Sequence, residues 1–276
     1  FIFSVLLTWL AYPLIYGFER LFGIISDVTL MELTNSNSKL LRELSYKAPG
    51  TFQHSMQVAN LAEAAIYKIG GNTLLVRAGA LYHDIGKMFN PQYFIENQTK
   101  GYNPHDGLSF EQSAQIIISH VAKGVELARK HQLPEVIIDF IRTHHGTTRV
   151  HYFYQSYIKS FPEKIVDEEM FNYPGPIPFS RETAVLMLAD SVEAASRSLK
   201  EPTAESLNEL VDKIIESKLA QKQLVNSNIT LKDITDISEI FKDMLKSIYH
   251  VRIDYDTTKK SIQNIKNDPA SVQHSS

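Results

Sequence analysis

"GALYHDIGKMF", residues Gly79–Phe89, sets a histidine and an aspartate side by side in an apolar run, with a glycine and a lysine directly behind them. The run extends "NTLLVRAGALYHDIGKMF", whose apolar residues recur at helical spacing after Asn72 or Thr73 as the capping residue. A bare His-Asp pair carries little information. A second pair, His105-Asp106 in "YNPHDGLS", falls among turn residues, and Asp106 there reads as a turn or helix-start residue. What sets the first pair apart is its buried-helix context, because a charged group in an apolar run needs a partner.

Working outward from it, the same helical period governs most of the chain from about residue 25 onward, and little sustained alternation is found. An all-α fold follows. "SNSKLLRELSYK" reads as a short connecting helix ended by "APG". "GTFQHSMQVANLAEAAIYKIGG" is a helix with a Thr51 cap and a Gly-Gly stop. A long helix is expected from about Ser109 to His131, and Pro134 opens "PEVIIDFIRTHHGTT", with Gly146 as its stop. Residues 151–180 read as an aromatic segment and a Pro/Gly loop. Helix resumes near Arg181 in "RETAVLMLADSVEAASRSL", pauses at Glu201-Pro202, continues as "TAESLNELVDKIIESKLAQ", and ends with a helix over roughly Thr230–Tyr249.

The 276 residues, 43% of them hydrophobic, suffice for one large domain with a sizeable core. A net charge of −3, from 28 basic and 31 acidic residues, provides no broad footprint for a nucleic-acid polymer. With no cysteine, disulfides, thiolate metal sites and cysteine nucleophiles are excluded. The first residue is Phe, so the chain reads as a piece of something longer. Its opening "FIFSVLLTWLAYPLIYGF" has no charge before Glu19 and Arg20, has about the length that spans a bilayer, and carries Trp9, Tyr12 and Tyr16 for an interfacial belt. It reads as the last part of a transmembrane helix; a buried amphipathic helix is the alternative. The expected division is 1–24 membrane helix, 25–49 juxtamembrane connecting segment, 50–256 main helical domain and 257–276 disordered tail.

Of ten histidines, His54, His83, His120, His144 and His145 fall within or at the ends of helices that also carry core residues. Any one of them could be a satisfied core histidine. Five together point to a shared metal site, since buried imidazoles need partners. Imidazole and carboxylate without thiolate suit Mn, Fe or Zn better than Ca or Mg. Neighbours on a helix point about 100° apart, so His83 and Asp84 do not chelate one ion in the manner of an i, i+4 pair, but an aspartate with two oxygens can join two ions. Asp190, within "VLMLADSVEAA", is a further carboxylate that demands a cation or strong donors.

These residues resemble the HD phosphohydrolase superfamily, with its pattern H…HD…D at His54, His83-Asp84 and Asp190. The closer resemblance is to the seven-transmembrane HD family of cyclic di-AMP phosphodiesterases of the PgpH type. It is carried by "PGTFQHSMQVANLAEAA", "AGALYHDIGKM", "NPHDGLSFEQSAQIIISHVAKG", "IRTHHGTTRVHYFY", "NYPGPIPFSRETAVLMLADSVEAASRSL" and "YHVRIDY", over about residues 10–256. The resemblance implies an HD-domain helical bundle behind the end of a membrane helix, anchored in a bacterial cell membrane with the HD domain cytoplasmic. It also implies two divalent transition-metal ions, Mn or Fe. One would take His54, His83, Asp84 and Asp190, the other Asp84, His120, His144 and His145, with Asp84 as the bridge. The implied reaction is hydrolysis of cyclic di-AMP to linear pApA by metal-activated water. The N-terminal region would hold further membrane helices and an extracytoplasmic sensor; whether the domain forms a homodimer stays open.

Lys87 is three residues beyond Asp84 and four beyond His83, so on a continuing helix it shares their face and is the candidate for a substrate phosphate. Arg181 and Arg197 are further candidates, each rivalled by a surface ion pair. Two other readings remain: an HD hydrolase of another nucleotide, such as cyclic di-GMP or a nucleoside phosphate, and a non-catalytic HD signalling module. The cyclic di-GMP branch pairs "HDIGK" with a Gly-Tyr-Pro motif after the histidine doublet, where this chain has "GTTRVHYFY".

Overall fold

A computed structural model describes residues 2–98, 101 and 103–249 of the chain. Among them the regular structure is helical, with a single isolated bridge between Arg149 and Asn172 in place of any strand. The expected tail, and most of "YHVRIDY", lie outside the described residues.

Helix α1 (Ile2–Phe22) is apolar and bare: Trp9 is 79% exposed, and residues Ile2–Glu19 have a mean hydropathy of 1.4, enough by length and composition to cross a membrane. Glu19 ties its end to the next helix, accepting from the Ser26 amide (2.6 Å) and the Thr29 hydroxyl (2.9 Å). The following helices, α2 (Asp27–Leu33) and α3 (Lys39–Lys47), do more than connect. Their Leu30, Leu40, Leu41 and Leu44 are buried in the main core, so residues expected as a juxtamembrane linker are part of the globule.

Two long helices form the centre. Helix α4 (Pro49–Ile69) packs against α3, α5 (Thr73–Tyr82) and α9 (Arg181–Ser196). Every residue of α9 from Thr183 to Asp190 is buried, because a helix apolar on all sides is stable only inside. Helices α6 (Phe110–Lys130), α7 (Glu135–Thr143), α10 (Ala204–Ala220) and α11 (Leu231–Ile248) complete the bundle. The aromatic segment after residue 150, expected without helix, forms α8 (His151–Ser160), whose Phe153 and Tyr157 make a small second core with Ala114 and Phe171.

Three local features depart from the sequence expectation. Helix α4 starts at Pro49, whose missing amide suits the first turn. Thr51 is therefore not its cap. Asn97, distant in sequence, accepts from the Gly50 and Thr51 amides (2.9 and 3.2 Å), a tertiary cap with no local signature. The helix through the His-Asp pair also stops early: α5 ends at Tyr82, and a 3-10 turn, Ile85–Phe89, follows. Gly86 of that turn lies flat on α6, where a β-carbon would stand 1.9 Å from the His120 carbonyl oxygen.

Candidate metal centre

The chain break after Tyr82 is what aims His83 and Asp84 into the bundle. His83 follows the last turn of α5 and Asp84 leads into the 3-10 turn. From α4 comes His54, from α9 Asp190, from α6 His120, and His144 and His145 follow the end of α7. Six of the seven side chains are buried and His145 is partly so. Their donor atoms fall into two groups, His54, His83, Asp84 and Asp190, and His120, His144 and His145, each with its atoms within 4.8 Å of one another.

Asp84 stands between the groups. Its Oδ2 lies 3.2 Å from His83 Nε2 and 3.6 Å from His54 Nε2, while its Oδ1 lies 3.2 Å from His120 Nε2 and 3.6 Å from His144 Nε2. Asp190 places Oδ1 2.9 Å from His54 Nε2 and Oδ2 3.8 Å from His145 Nδ1.

The hydrogen bonds fix how the rings face. His83, His120 and His144 each donate from Nδ1 to the carbonyl three residues earlier, Ala80 (2.7 Å), Ile117 (2.6 Å) and Ile141 (2.8 Å). Each Nε2 is left to point inward with its lone pair. The ring of His54 is held differently, through Nδ1 by the buried carboxylate of Glu193. The Nε2 atoms of His120 and His144 then stand 3.2 Å apart, two acceptors facing each other. His83 Nε2 is buried without a hydrogen bond, and of the two buried Asp84 oxygens Oδ2 meets Lys87 Nζ at 2.8 Å. Lone pairs and carboxylate oxygens converging from two sides fit divalent cations.

The electrostatics agree. Burial pushes the Asp84 carboxyl up, but Lys87, His83 and the bonds from His120 and His144 outweigh it and hold it well below the usual carboxylate range. Asp190 is likewise low, burial being overcome by His54 and His83. Burial alone would lower His83, yet Asp84 and Asp190 raise it to about 10, a proton standing where a cation would go. His144 falls to about 4, chiefly through burial, which the neighbouring Asp84 offsets only in part.

Around the centre, Lys87 reaches Asp84 Oδ2 (2.8 Å) and Glu96 Oε1 (3.0 Å), so the 3-10 turn keeps it beside Asp84 as a continuing helix would have done. A recess of about 420 Å³ over the cluster is lined by Lys87, His145, Asp190 and Arg197 among others. Arg197 is paired there with Glu193 (2.6 Å). Arg181 is a correction. Its guanidinium donates to the carbonyls of Ile69 (2.8 Å) and Gly70 (3.0 Å) at the end of α4 and pairs with Asp233 (3.4 Å), so it closes a helix end and lines no part of the recess. His105 donates from Nε2 to the Tyr93 carbonyl and lies tilted against Phe153, while Asp106 accepts from Asn103, apart from both donor groups.

The family model described as HD domain matches residues 51–195, more than half of the chain and every donor named above. The chain belongs to the HD domain family. This HD domain is similar to two proteins named cyclic-di-AMP phosphodiesterase PgpH. That of Listeria monocytogenes is 46% identical over 242 residues, 88% of this chain and 33% of that protein. The one from Bacillus subtilis is 45% identical over 246 residues, 89% of this chain and 34% of that protein. The chain therefore spans about a third of the length of the curated relatives it matches. A crystal structure of the L. monocytogenes PgpH HD domain in complex with cyclic-di-AMP superposes with a TM-score of 0.75 at 46% identity, covering 78% of this chain and all of that one.

Two acids of this HD domain escaped the sequence reading. Glu193 had a usable signal, an acid three residues after Asp190 on an otherwise buried helix. Glu96 had none, because it comes from a short 3-10 turn, Ile95–Asn97, and only the fold brings it to Lys87 and to Thr51 Oγ1 (3.0 Å). Glu193→Gln keeps the shape but loses the charge that orients His54. Equilibrium Mn titration is expected to give an affinity about 10–100-fold weaker, with helical content unchanged; an unaltered affinity would remove Glu193 from the design of the site.

Proposed function

We propose that the chain is the catalytic part of a membrane-anchored, dinuclear-metal phosphodiesterase that opens cyclic di-AMP to linear pApA. The observation that carries the reading is Asp84, whose two oxygens face two separate donor groups. The names of the similar proteins, and the ligand in the PgpH HD-domain crystal structure, support the substrate. The apolar helix α1 supports the anchor, and this reading puts the HD domain on the cytoplasmic side.

His54, His83, Asp84 and Asp190 would hold one ion, and Asp84, His120, His144 and His145 the other, with Mn or Fe suited to a donor set of imidazole and carboxylate. When bound, two such ions supply Lewis acidity for the phosphodiester and lower the pKa of water. The chain's own groups do the rest. Carbonyl-anchored imidazoles keep their orientation, so little reorganisation accompanies the reaction. Lys87, held charged because its pairing with Asp84 and Glu96 outweighs burial, presents a cation to a phosphoryl oxygen arriving in the recess. The ring of Tyr173, 4.2 Å from that of His145, and Phe94, 5.6 Å from His120, cover the cluster against bulk water.

Mn-loaded protein offered cyclic di-AMP, cyclic di-GMP and a deoxynucleoside triphosphate is expected to linearise the first fastest, with pApA identified by mass. Faster cleavage of either other substrate would overturn the substrate; no cleavage of any would favour a signalling module. Saturating Mn is also expected to raise the unfolding free energy of the stripped protein, by about 2.7 kcal/mol at a hundredfold excess over Kd, and a thermal scan that ignores the metal would refute the site.

A further inference from the structure

His145 is the donor whose side chain is held least. His83, His120 and His144 are braced at Nδ1 by carbonyls and His54 by Glu193. Neither ring nitrogen of His145 has a hydrogen-bond partner among the described residues, and its Nδ1 stands 3.8 Å from Asp190 Oδ2. Its side chain is 23% exposed, against 7% or less for the other six donors.

The backbone of His145, by contrast, is fixed. The amide (3.1 Å) and hydroxyl (2.7 Å) of Thr148 both donate to its carbonyl. Gln223 accepts from the Thr147 amide (3.0 Å), and Gly146, at φ 54°, leaves room for it, since a β-carbon there would stand 2.2 Å from Gln223 Oε1. What stays free is rotation of the imidazole about its side-chain torsions.

Two rings limit that rotation. One is His144, with its centroid 4.0 Å away and its plane tilted by 44°. The other is Tyr173, 4.2 Å away and only 30° from parallel, so the two faces stack. Tyr173 belongs to "NYPGPIPFS", and the fold lays this loop along the residues that follow the histidine doublet. The Tyr173 amide donates to the Thr148 carbonyl and the Val150 amide to the Phe171 carbonyl (both 2.8 Å), on either side of the bridge between Arg149 and Asn172. Gly175, at φ 82°, continues the contact, since a β-carbon there would meet Thr147 Cγ2 at 3.1 Å. Tyr173 is buried, so its ring is packed in place from its own backbone outward.

We propose that Tyr173 is a positioning residue for the metal centre: its ring face sets the orientation of His145, and with it the affinity of the ion that His120, His144 and His145 would hold. The inference rests on the two-ion reading above and adds to it the donor whose brace is aromatic. It also gives the Pro/Gly loop a task, that of carrying Tyr173 to the histidine doublet.

Equilibrium Mn titration of the metal-stripped chain tests it. In Tyr173→Leu one of the two affinities is expected to fall about tenfold, as for loss of an outer-sphere partner, and the other by less than about threefold. Tyr173→Phe keeps the ring face and loses only the hydroxyl, so both affinities are expected within about threefold of the parent. Turnover of cyclic di-AMP by the Leu variant should be low at limiting Mn and recover at saturating Mn, which a general loss of packing would not produce. Unchanged affinities in the Leu variant, an equal loss of both ions, a Phe variant as weak as the Leu variant, or no recovery at saturating Mn would each overturn the role of Tyr173 while leaving the two-ion reading intact. A parent that takes up fewer than two ions would overturn that reading itself. If circular dichroism shows that the stripped Leu variant does not fold, Tyr173→Met, unbranched and more adaptable, takes its place, and weakened binding in the Phe variant still overturns the proposal.

Discussion

Asp84→Ala is expected to lower cyclic di-AMP turnover by at least about a thousandfold, beyond the range for losing one oriented donor. The reason is geometric. Each Asp84 oxygen serves a different donor group, so the substitution removes a ligand from both proposed ions at once and also the counter-charge of Lys87, 2.8 Å away. Elemental analysis should fall below two ions per chain, and product analysis by chromatography gives the rate. The fold should suffer as well. Removing one partner of a buried charge pair strands the other, at about 3–5 kcal/mol, so the variant should melt earlier yet remain helical. Activity within tenfold of the parent, or full metal content, would refute the bridging role.

Gly86→Ala is expected to be among the most damaging single-methyl changes at the described residues. An added β-carbon would stand 1.9 Å from the His120 carbonyl oxygen and 2.6 Å from the Gly124 amide nitrogen. Both are helix backbone, which cannot rotate aside, so the 3-10 turn and α6 must separate. Overpacking typically costs about 1–3 kcal/mol, and a clash with two rigid backbones belongs at or above the top of that range. The separation moves His120 from Asp84 Oδ1, now 3.2 Å away, so metal affinity should fall together with stability. Urea unfolding read beside Mn titration checks both. Loss of stability with undiminished affinity would mean that the turn and α6 are coupled only through packing.

The seven candidate ligands were legible in the sequence because each is a polar residue in an apolar helical context, and the fold brings them into two adjoining groups. The helices were legible for the same reason, through their apolar period. What escaped the sequence came from tertiary contact. Thr51 read as a cap because its type and position suit one, yet Asn97, far along the chain, takes that task. The break after Tyr82 was hidden because "ALYHDIGKMF" keeps an apolar pattern through the 3-10 turn. Arg181 was offered to the substrate for its place at the start of α9, and the end of α4, which no local pattern brings near, claims it instead. Residues 151–160 read as loop because their aromatics obscured the period that Phe153 and Tyr157 satisfy against α6.

His83, His120 and His144 each lean on a carbonyl of their own preceding turn, whereas His54 leans on the side chain of Glu193. A carbonyl is present whatever residue bears it. Three of these four rings are thus indifferent to substitution at the positions that support them, and among the four only His54 can be retuned by exchanging the supporting side chain, at position 193.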